Sequence, residues 1–360
     1  MLVYFDCWRP TAIKYEEMTC KKVLDSVGVL GTRLWTRHCF DPYVNCEFNC
    51  VYCNSGTQKG EGSRGFSAPI YVRLNAPQIL DRELKGLKTK GVVNLGVATD
   101  VYQPAEEKYR VTRQIIEVLK KHNCAFAIGT KSDLVLRDLD LISEASKKAW
   151  CCVSLSITTL DEKLAKRLEP NAPPPKRRLE AIRRLSKAGV MTGVWVSPIL
   201  PYITDNDENV EGVIKAAVEN GAKFVLGAGL DTRDLARFKM FLKENYPSLV
   251  SKYERLYKGI GKPYTYYAND VYLYDLYKKF ICTCQKYGVK NILPHFHTLR
   301  QAWLFYARNF SNFQDTPVFE LTQLLNYMSP SKELLQTVNI RLGDKTVSRG
   351  FLKALRYFPH

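Results

Sequence analysis

Between residues 91 and 235 the apolar positions keep changing period, from short consecutive runs to runs spaced three and four apart. Val92-Val93-Asn94-Leu95-Gly96-Val97 reads as a short buried strand. Pro104 then opens a helix, with Glu106 and Glu107 in the first turn, where the helix dipole favours acids, and Ile115, Ile116 and Leu119 mark a buried face. The alternation continues through a strand at 125–130, a helix at 139–148 and a strand at 152–157. Leu179, Ile182 and Leu185 stripe a further helix that stops at Gly189, and strands at 190–196 and 224–226 follow. Repeated strand–helix units predict a parallel sheet or barrel. With a strand leading into Cys46 the count reaches six. Pro173-Pro174-Pro175 reads as a stiff connection and the stretch 56–66, rich in Gly, Ser and Lys, as a loop. After about residue 240 the pattern turns helical, irregular and rich in tyrosine.

This organisation predicts an N-terminal segment (1–37), a barrel (38–235) and a basic, Tyr-rich C-terminal extension (236–360) that is mostly helical. The hydrophobic fraction of 46% is that of an ordinary globular chain. No apolar run approaches the roughly 18 residues that a membrane span requires, and the first ten residues lack the basic-then-apolar pattern of a signal peptide. Eleven scattered cysteines do not resemble a secreted disulfide framework, so a reducing, cytoplasmic setting is expected. The formal net charge is +17, and residues 241–360 hold 17 Lys and Arg against 8 Asp and Glu. Such an excess suits a polyanionic partner. Tyr253, Tyr257, Tyr264, Tyr266, Tyr267, Tyr272, Tyr274 and Tyr277, mixed with Lys258, Lys262, Lys278 and Lys279, suit stacking on single-stranded or distorted nucleic acid. The competing reading packs these rings against the barrel.

The densest chemistry lies in Cys46-Glu-Phe-Asn-Cys50-Val-Tyr-Cys53, a CxxxCxxC spacing. Three thiolates this close can wrap one face of a metal cluster. A [4Fe–4S] cluster normally takes four cysteines, so three leave one iron open. The alternative is a structural zinc site completed by Cys39 or His38, in a non-catalytic nucleic-acid-binding module. Cys282 and Cys284 with His295 and His297 are candidates for a second metal, although ligands two apart suit one tetrahedral ion poorly.

The cysteine run resembles that of the radical S-adenosylmethionine (SAM) enzymes. The phrases Cys39-Phe-Asp-Pro-Tyr-Val-Asn-Cys46, Val72-Arg-Leu-Asn-Ala-Pro77, Thr99-Asp100-Val-Tyr-Gln-Pro104-Ala-Glu106, Thr130-Lys131-Ser132, Ser154-Leu-Ser156-Ile-Thr-Thr and Leu168-Glu169-Pro170 are similar to the spore photoproduct lyase-like branch, in order, over residues 20–235. The resemblance implies a partial (β/α)6 TIM-type radical SAM barrel, a [4Fe–4S] cluster on Cys46, Cys50 and Cys53, SAM on the open iron, and an external electron donor. It implies a 5′-deoxyadenosyl radical that takes hydrogen from a substrate, a nucleic acid base in that branch. By the same resemblance Tyr52 meets the adenine, and Asp100 lies near the methionyl amine or the substrate. Lys131 pairs with the methionyl carboxylate, Ser156 bonds the ribose or methionine, and Ser197 meets the adenine through its backbone. Two positions depart from the branch. Val97 stands where it has a hydrogen-donating cysteine, and Asn54 where it has a relay tyrosine. A small-molecule or protein substrate is the alternative within the same chemistry.

Overall fold

A computed structural model of the chain describes residues 13–26, 38–53, 69–87, 91–230, 235–257 and 268–291. The N-terminal part carries strands β1 (Tyr15–Met18), β2 (Asp25–Ser26), β3 (His38–Phe40), β4 (Tyr43–Val44) and β5 (Ile70–Arg73), then helix α1 (Ala76–Gly86). The repeating part runs β6 (Val93–Leu95), α2 (Ala105–Tyr109), α3 (Val111–Lys121), β7 (Phe126–Thr130), α4 (Leu139–Ser146), β8 (Cys151–Ser156), α5 (Glu162–Leu168), α6 (Pro175–Lys187), β9 (Met191–Ile199), α7 (Asp207–Glu219) and β10 (Phe224–Gly229). Helices α8 (Leu235–Asn245), α9 (Val250–Leu256) and α10 (Asp270–Lys286) follow.

Strands β10, β9, β8, β7, β6 and β3 pair in that order, all parallel, and β2 adds an antiparallel edge. These are the six parallel strands expected of a partial barrel. The pattern did not reveal β2, nor the small separate sheet β1-β5-β4. Both are built from strands of two to four residues, too short to show a period.

Strand residues alternate between the two faces of the sheet. Leu95, Ile128, Val153, Val194 and Val225 join Ile115, Ile116, Ile182, Leu185 and Val213 in the layer under the helices. The opposite, inner face gathers Ala127, Cys152, Phe224 and Leu226, with Trp195 against them. Two glycines on adjacent strand ends let the backbones close up: a Cβ on Gly96, which sits at φ +87°, would come within 2.0 Å of the Gly129 carbonyl oxygen.

The far edge of the sheet is covered by the chain beyond residue 236. Val225 donates its N–H to the Lys290 carbonyl at 2.7 Å. Phe280 of α10 lies so close to Gly227 that a Cβ there would stand 2.8 Å from its ring. Tyr277 accepts the Gly229 N–H at 3.0 Å. The tyrosines of this region turn inward: Tyr253 and Tyr277 are buried, the Tyr253 hydroxyl donates to the Pro201 carbonyl at 2.6 Å, and Tyr272 donates to Asp205 at 2.7 Å. Of the two readings of the tyrosine stretch, these rings follow the packing one. Tyr264, Tyr266, Tyr267 and the Tyr274 side chain lie outside the described residues.

Because Phe280 is fully buried against β10, Phe280→Ala is expected to cost about 3–5 kcal/mol of stability. Urea unfolding of the two proteins measures it. A cost near zero would show that α10 does not belong to the barrel core.

Candidate functional site

The three cysteines ride on the loop that leaves β4. Asn45 and Asn49 turn it with φ of +67° and +54°, a region asparagine tolerates better than most residues. The loop is held from several sides. Gln103 accepts the Glu47 N–H at 2.9 Å and donates to the Asn45 carbonyl at 3.1 Å. The buried Glu47 carboxylate accepts the Ala105 N–H at 2.6 Å and the Tyr15 hydroxyl at 3.0 Å. Asn171 donates to the Glu47 carbonyl at 2.8 Å, and the Val51 N–H donates to the Leu168 carbonyl at 2.9 Å. Arg237 of α8 donates to the Asn49 carbonyl at 2.7 Å and to its side-chain oxygen at 2.8 Å. Cys50 is buried among Phe48, Tyr52, Leu168, Leu200 and Phe238, with Cys46 and Cys53 packed beside it.

These thiols suit a metal cluster. Burial pushes the Cys50 thiol up to about 12. Burial, with Asp100 and the other two thiols, raises Cys46 well above its ordinary value. Left alone, such groups stay protonated; binding metal makes them thiolates. Among the described residues no group of three or more His, Cys, Asp or Glu side chains is already arranged around a metal ion's position. His38 and Cys39 lie back in β3, paired with Val93 and Asn94. Cys282 and Cys284 do not share a direction either: on α10 the first is exposed and the second buried, as residues two apart on a helix must be. His295 and His297 lie outside the described residues.

Beside the loop lies a buried polar chain. The Tyr52 hydroxyl donates a short hydrogen bond to Glu169. Glu169, 2% exposed, pairs with Arg178, 1% exposed, at 2.5 Å. Arg178 also donates to the Pro173 carbonyl at 2.7 Å and the Ser156 carbonyl at 2.8 Å. Burial works against the Glu169 carboxylate, but Arg178, Lys131 and the Tyr52 hydroxyl carry it below its ordinary value. In the basic run Lys176-Arg177-Arg178 the first two side chains are exposed and Arg178 is locked inside.

Lys131 follows β7 and sets its ammonium 5.8 Å from the centre of the Tyr52 ring. Burial opposes its charge, while Cys50, Glu169 and Asp100 raise it above its ordinary value. Asp100 is buried and already engaged: it accepts from the Thr130 hydroxyl at 2.6 Å and from the N–H groups of Tyr102 and Lys131 at 2.9 and 2.7 Å. Ser156 ends β8 opposite Trp195, and Ser197 lies two residues further along β9. The Ser197 carbonyl accepts from Thr158 at 3.4 Å. Cys46, Cys50, Tyr52, Asp100, Lys131 and Glu169 therefore form one neighbourhood at the C-terminal ends of the strands, where barrel sites lie, while Ser156 meets it through Arg178.

Three positions carry the site without having stood out. Asp41 accepts four backbone N–H groups, from Gly96, Val97, Ala98 and Thr99, at 2.7–3.2 Å, and so fixes the loop leading to Asp100. Glu47 lies inside the cysteine motif, where spacing draws attention to its neighbours. Trp195 faces the inner side of the sheet, and its indole N–H has no hydrogen-bond partner among the described residues. Arg178 is a fourth such position, and it alone offered a signal: it precedes Ile182 by four residues and shares its stripe. Val97 stands 41% exposed on the rim, and Asn54 lies outside the described residues.

The sequence profile of the radical SAM superfamily matches residues 41–217. An uncharacterized protein of Mycobacterium tuberculosis is 32% identical over 260 residues, covering 68% of this chain and 74% of that one. An uncharacterized protein of Methanocaldococcus jannaschii is 28% identical over 236 residues, covering 65% and 85%. Spore photoproduct lyase complexed with a dinucleoside spore photoproduct superposes with a TM-score of 0.59 at 16% identity, over 76% of this chain and 79% of that one, which shows a shared fold.

The Glu169–Arg178 pair generates a test. Glu169→Gln leaves a buried guanidinium uncompensated and is expected to cost about 3–5 kcal/mol in denaturant unfolding at neutral pH. The Glu169 carboxyl is held below its ordinary 4.5, so its contribution is present above that pH and lost as pH falls through the folded value. The gap between wild type and variant is therefore expected to shrink in acid. A gap that widened in acid would contradict the assignment.

Proposed function

The chain belongs to the radical SAM superfamily, and on that premise we propose that it abstracts hydrogen from a nucleic acid base. The superfamily works with a [4Fe–4S] cluster and SAM. When bound, the cluster supplies the electron that splits SAM into methionine and a 5′-deoxyadenosyl radical, which takes hydrogen from the substrate. The protein supplies position and electrostatics.

In this reading Cys46, Cys50 and Cys53 hold the cluster. Lys131 receives the methionyl carboxylate; the observation that carries this is an ammonium kept charged beside Cys50, with its Nζ over the Tyr52 ring. Asp100 positions Lys131 through its backbone N–H, since its oxygens already accept three donors. Tyr52, its hydroxyl fixed by Glu169, offers ring edge and backbone to the adenine. Ser156 and Ser197 face the ribose or methionine and the adenine. The nucleic acid partner is supported by the net charge of +17 and by the fold shared with an enzyme solved on a dinucleoside. The inward-facing tyrosines Tyr253, Tyr272 and Tyr277 favour a second reading, a peptide or small-molecule substrate, because they leave less aromatic surface for stacked bases.

Anaerobic reconstitution with iron and sulfide is expected to give about four irons per chain and, with SAM and dithionite, 5′-deoxyadenosine. Stoichiometric zinc with no iron uptake would refute the assignment. Lys131→Ala is expected to keep the iron but weaken SAM binding by roughly 1.5–3 kcal/mol, the loss of a charge-assisted contact. Unchanged affinity in a titration would remove Lys131 from the site.

The substrate reading has its own measurements. Single-stranded DNA is expected to bind at low salt and dissociate as salt rises. No binding to single-stranded DNA, duplex DNA or RNA would leave the second reading. A dinucleoside spore photoproduct is not expected to return cleanly to two thymines, because Val97 has no S–H to return a hydrogen atom. Clean conversion would show that another thiol, such as Cys124, reaches the site.

A further inference from the structure

The interior of the barrel is filled on one side and open on the other. Cys39, Asn94, Ala127, Cys152 and Met191 pair across neighbouring strands and form one row on the inner face. The row two residues nearer the rim holds Gly129, Ser154, Gly193 and Phe224, and Gly96 continues it past the end of β6. On β9 and β10 this upper row is packed: a Cβ on Gly193 would stand 2.3 Å from the Phe224 ring. On β6 and β7 it is bare. Among the described residues, a Cβ on Gly129 would meet only the backbone oxygens of Gly96 and Leu95 within 4 Å, and both glycines are partly exposed. Asn94 stands at the base of this gap. It is 2% exposed, and its Oδ1 has no hydrogen-bond partner among the described residues. A buried carboxamide oxygen in that state costs stability, and a ligand that donates to it accounts for its presence.

We propose that Asn94 reads the edge of a pyrimidine base lowered into this gap from the rim. The inference rests on the nucleic acid reading above and names the kind of base. The gap lies below Lys131, two residues beyond Gly129, so a ligand in it sits directly under the neighbourhood of the cysteines. A carboxamide sets a donor beside its acceptor, and such a group reads a base edge by two parallel hydrogen bonds. The imide edge of thymine or uracil answers it: N3–H donates to Oδ1, and the adjacent carbonyl accepts from Nδ2. A neutral ligand group suits the place. Cys39, Ala127, Cys152 and Met191 bring no cation to the row, and the carboxylates of Asp41 and Asp100 above it are taken up by N–H and hydroxyl donors. A single ring suits it better than a purine, because Ser154, its hydroxyl donated to the Ile128 carbonyl at 3.1 Å, and then Phe224 close the far side.

Calorimetric titrations of the anaerobically reconstituted full chain, with SAM present, compare thymidine with N3-methylthymidine, which keeps both carbonyls and loses the N–H. Wild type is expected to bind thymidine at least tenfold more tightly, as a site built around a hydrogen bond rejects the analogue that lacks it. In Asn94→Leu the two affinities are expected to become equal. Asn94→Ala repeats the loss without added bulk, so that a blocked gap does not explain it. Asn94→Leu is also expected to bind SAM like wild type and to unfold at an equal or higher urea concentration, because it removes a polar atom without a partner. Equal wild-type affinities for the two nucleosides, an unchanged ratio in the variants, or no thymidine binding would each overturn the proposal. So would a loss of SAM affinity in Asn94→Leu, which would give the carboxamide to the cofactor. Single-stranded DNA titrated in parallel separates the two readings. DNA binding without any nucleoside discrimination keeps the nucleic acid reading and rejects Asn94. Discrimination that depends on Asn94 without DNA binding keeps the pocket and rejects the nucleic acid.

Discussion

The ion pair between Glu169 and Arg178 is the contact on which the site's geometry depends. Neither charge has water to fall back on, so each needs every partner it has. Glu169 takes the Tyr52 hydroxyl from the cluster loop, and Arg178 takes the Ser156 carbonyl at the end of β8. The pair therefore couples the loop that carries the cysteines to the strand end that carries Ser156. Within the pair, Glu169 also favours the charged form of Lys131, while Arg178 opposes it. One buried interaction thus serves position and electrostatics together, which is how a protein prepares a site for chemistry it does not itself perform.

The same device recurs around the rim. A loop at the end of a barrel strand carries backbone N–H groups that the sheet no longer satisfies. Asp41 absorbs four of them after β6, Glu47 takes the Ala105 N–H, and Asp100 takes those of Tyr102 and Lys131. Deeper in the same segment, Glu106 accepts from Tyr43, Thr112 and Arg137, and Asp138 accepts from Tyr102, Arg113 and Arg137. Carboxylates here act as fasteners for irregular backbone. Asp100 belongs to this group by geometry, although its motif position suggested a direct contact with cofactor.

The helices beyond residue 236 complete the barrel at two places. Helix α10 covers the exposed edge at β10, where the Phe280 ring occupies the space that Gly227 leaves free. Helix α8 reaches the cluster loop through Arg237, linking residues 188 positions apart in the chain. Among the described tyrosines of this region, Tyr253, Tyr257 and Tyr272 direct their hydroxyls at Pro201, Leu230 and Asp205. Burying the apolar stripes of α5 and α8 against Cys50 leaves Lys163, Lys166, Arg167 and Lys243 exposed, while Arg237 turns inward to Asn49.

The order of strands and helices and the close cysteine trio were legible in the chain because both are local properties. A strand or helix announces itself by the period of its apolar residues, and the CxxxCxxC run places three thiols within eight residues. The strand that Lys131 follows was located by the pattern to within a residue. The tertiary structure alone decided which charges went inside. Arg178 sits in a run of three basic residues and only Arg178 is buried, because the turn of α6 directs it at Glu169, nine residues earlier and across a proline-rich loop. Glu47, Asp41 and Trp195 gain their meaning from partners 50 to 60 residues away or on the opposite strand, which no spacing along the chain encodes. Whether the tyrosines stack on a substrate or on each other was likewise open in sequence, since an aromatic ring suits a core and a surface platform equally. The packing of Tyr253 under Tyr202 and beside Tyr257 gave its answer, because a ring whose hydroxyl and faces are already satisfied has nothing left to offer a ligand.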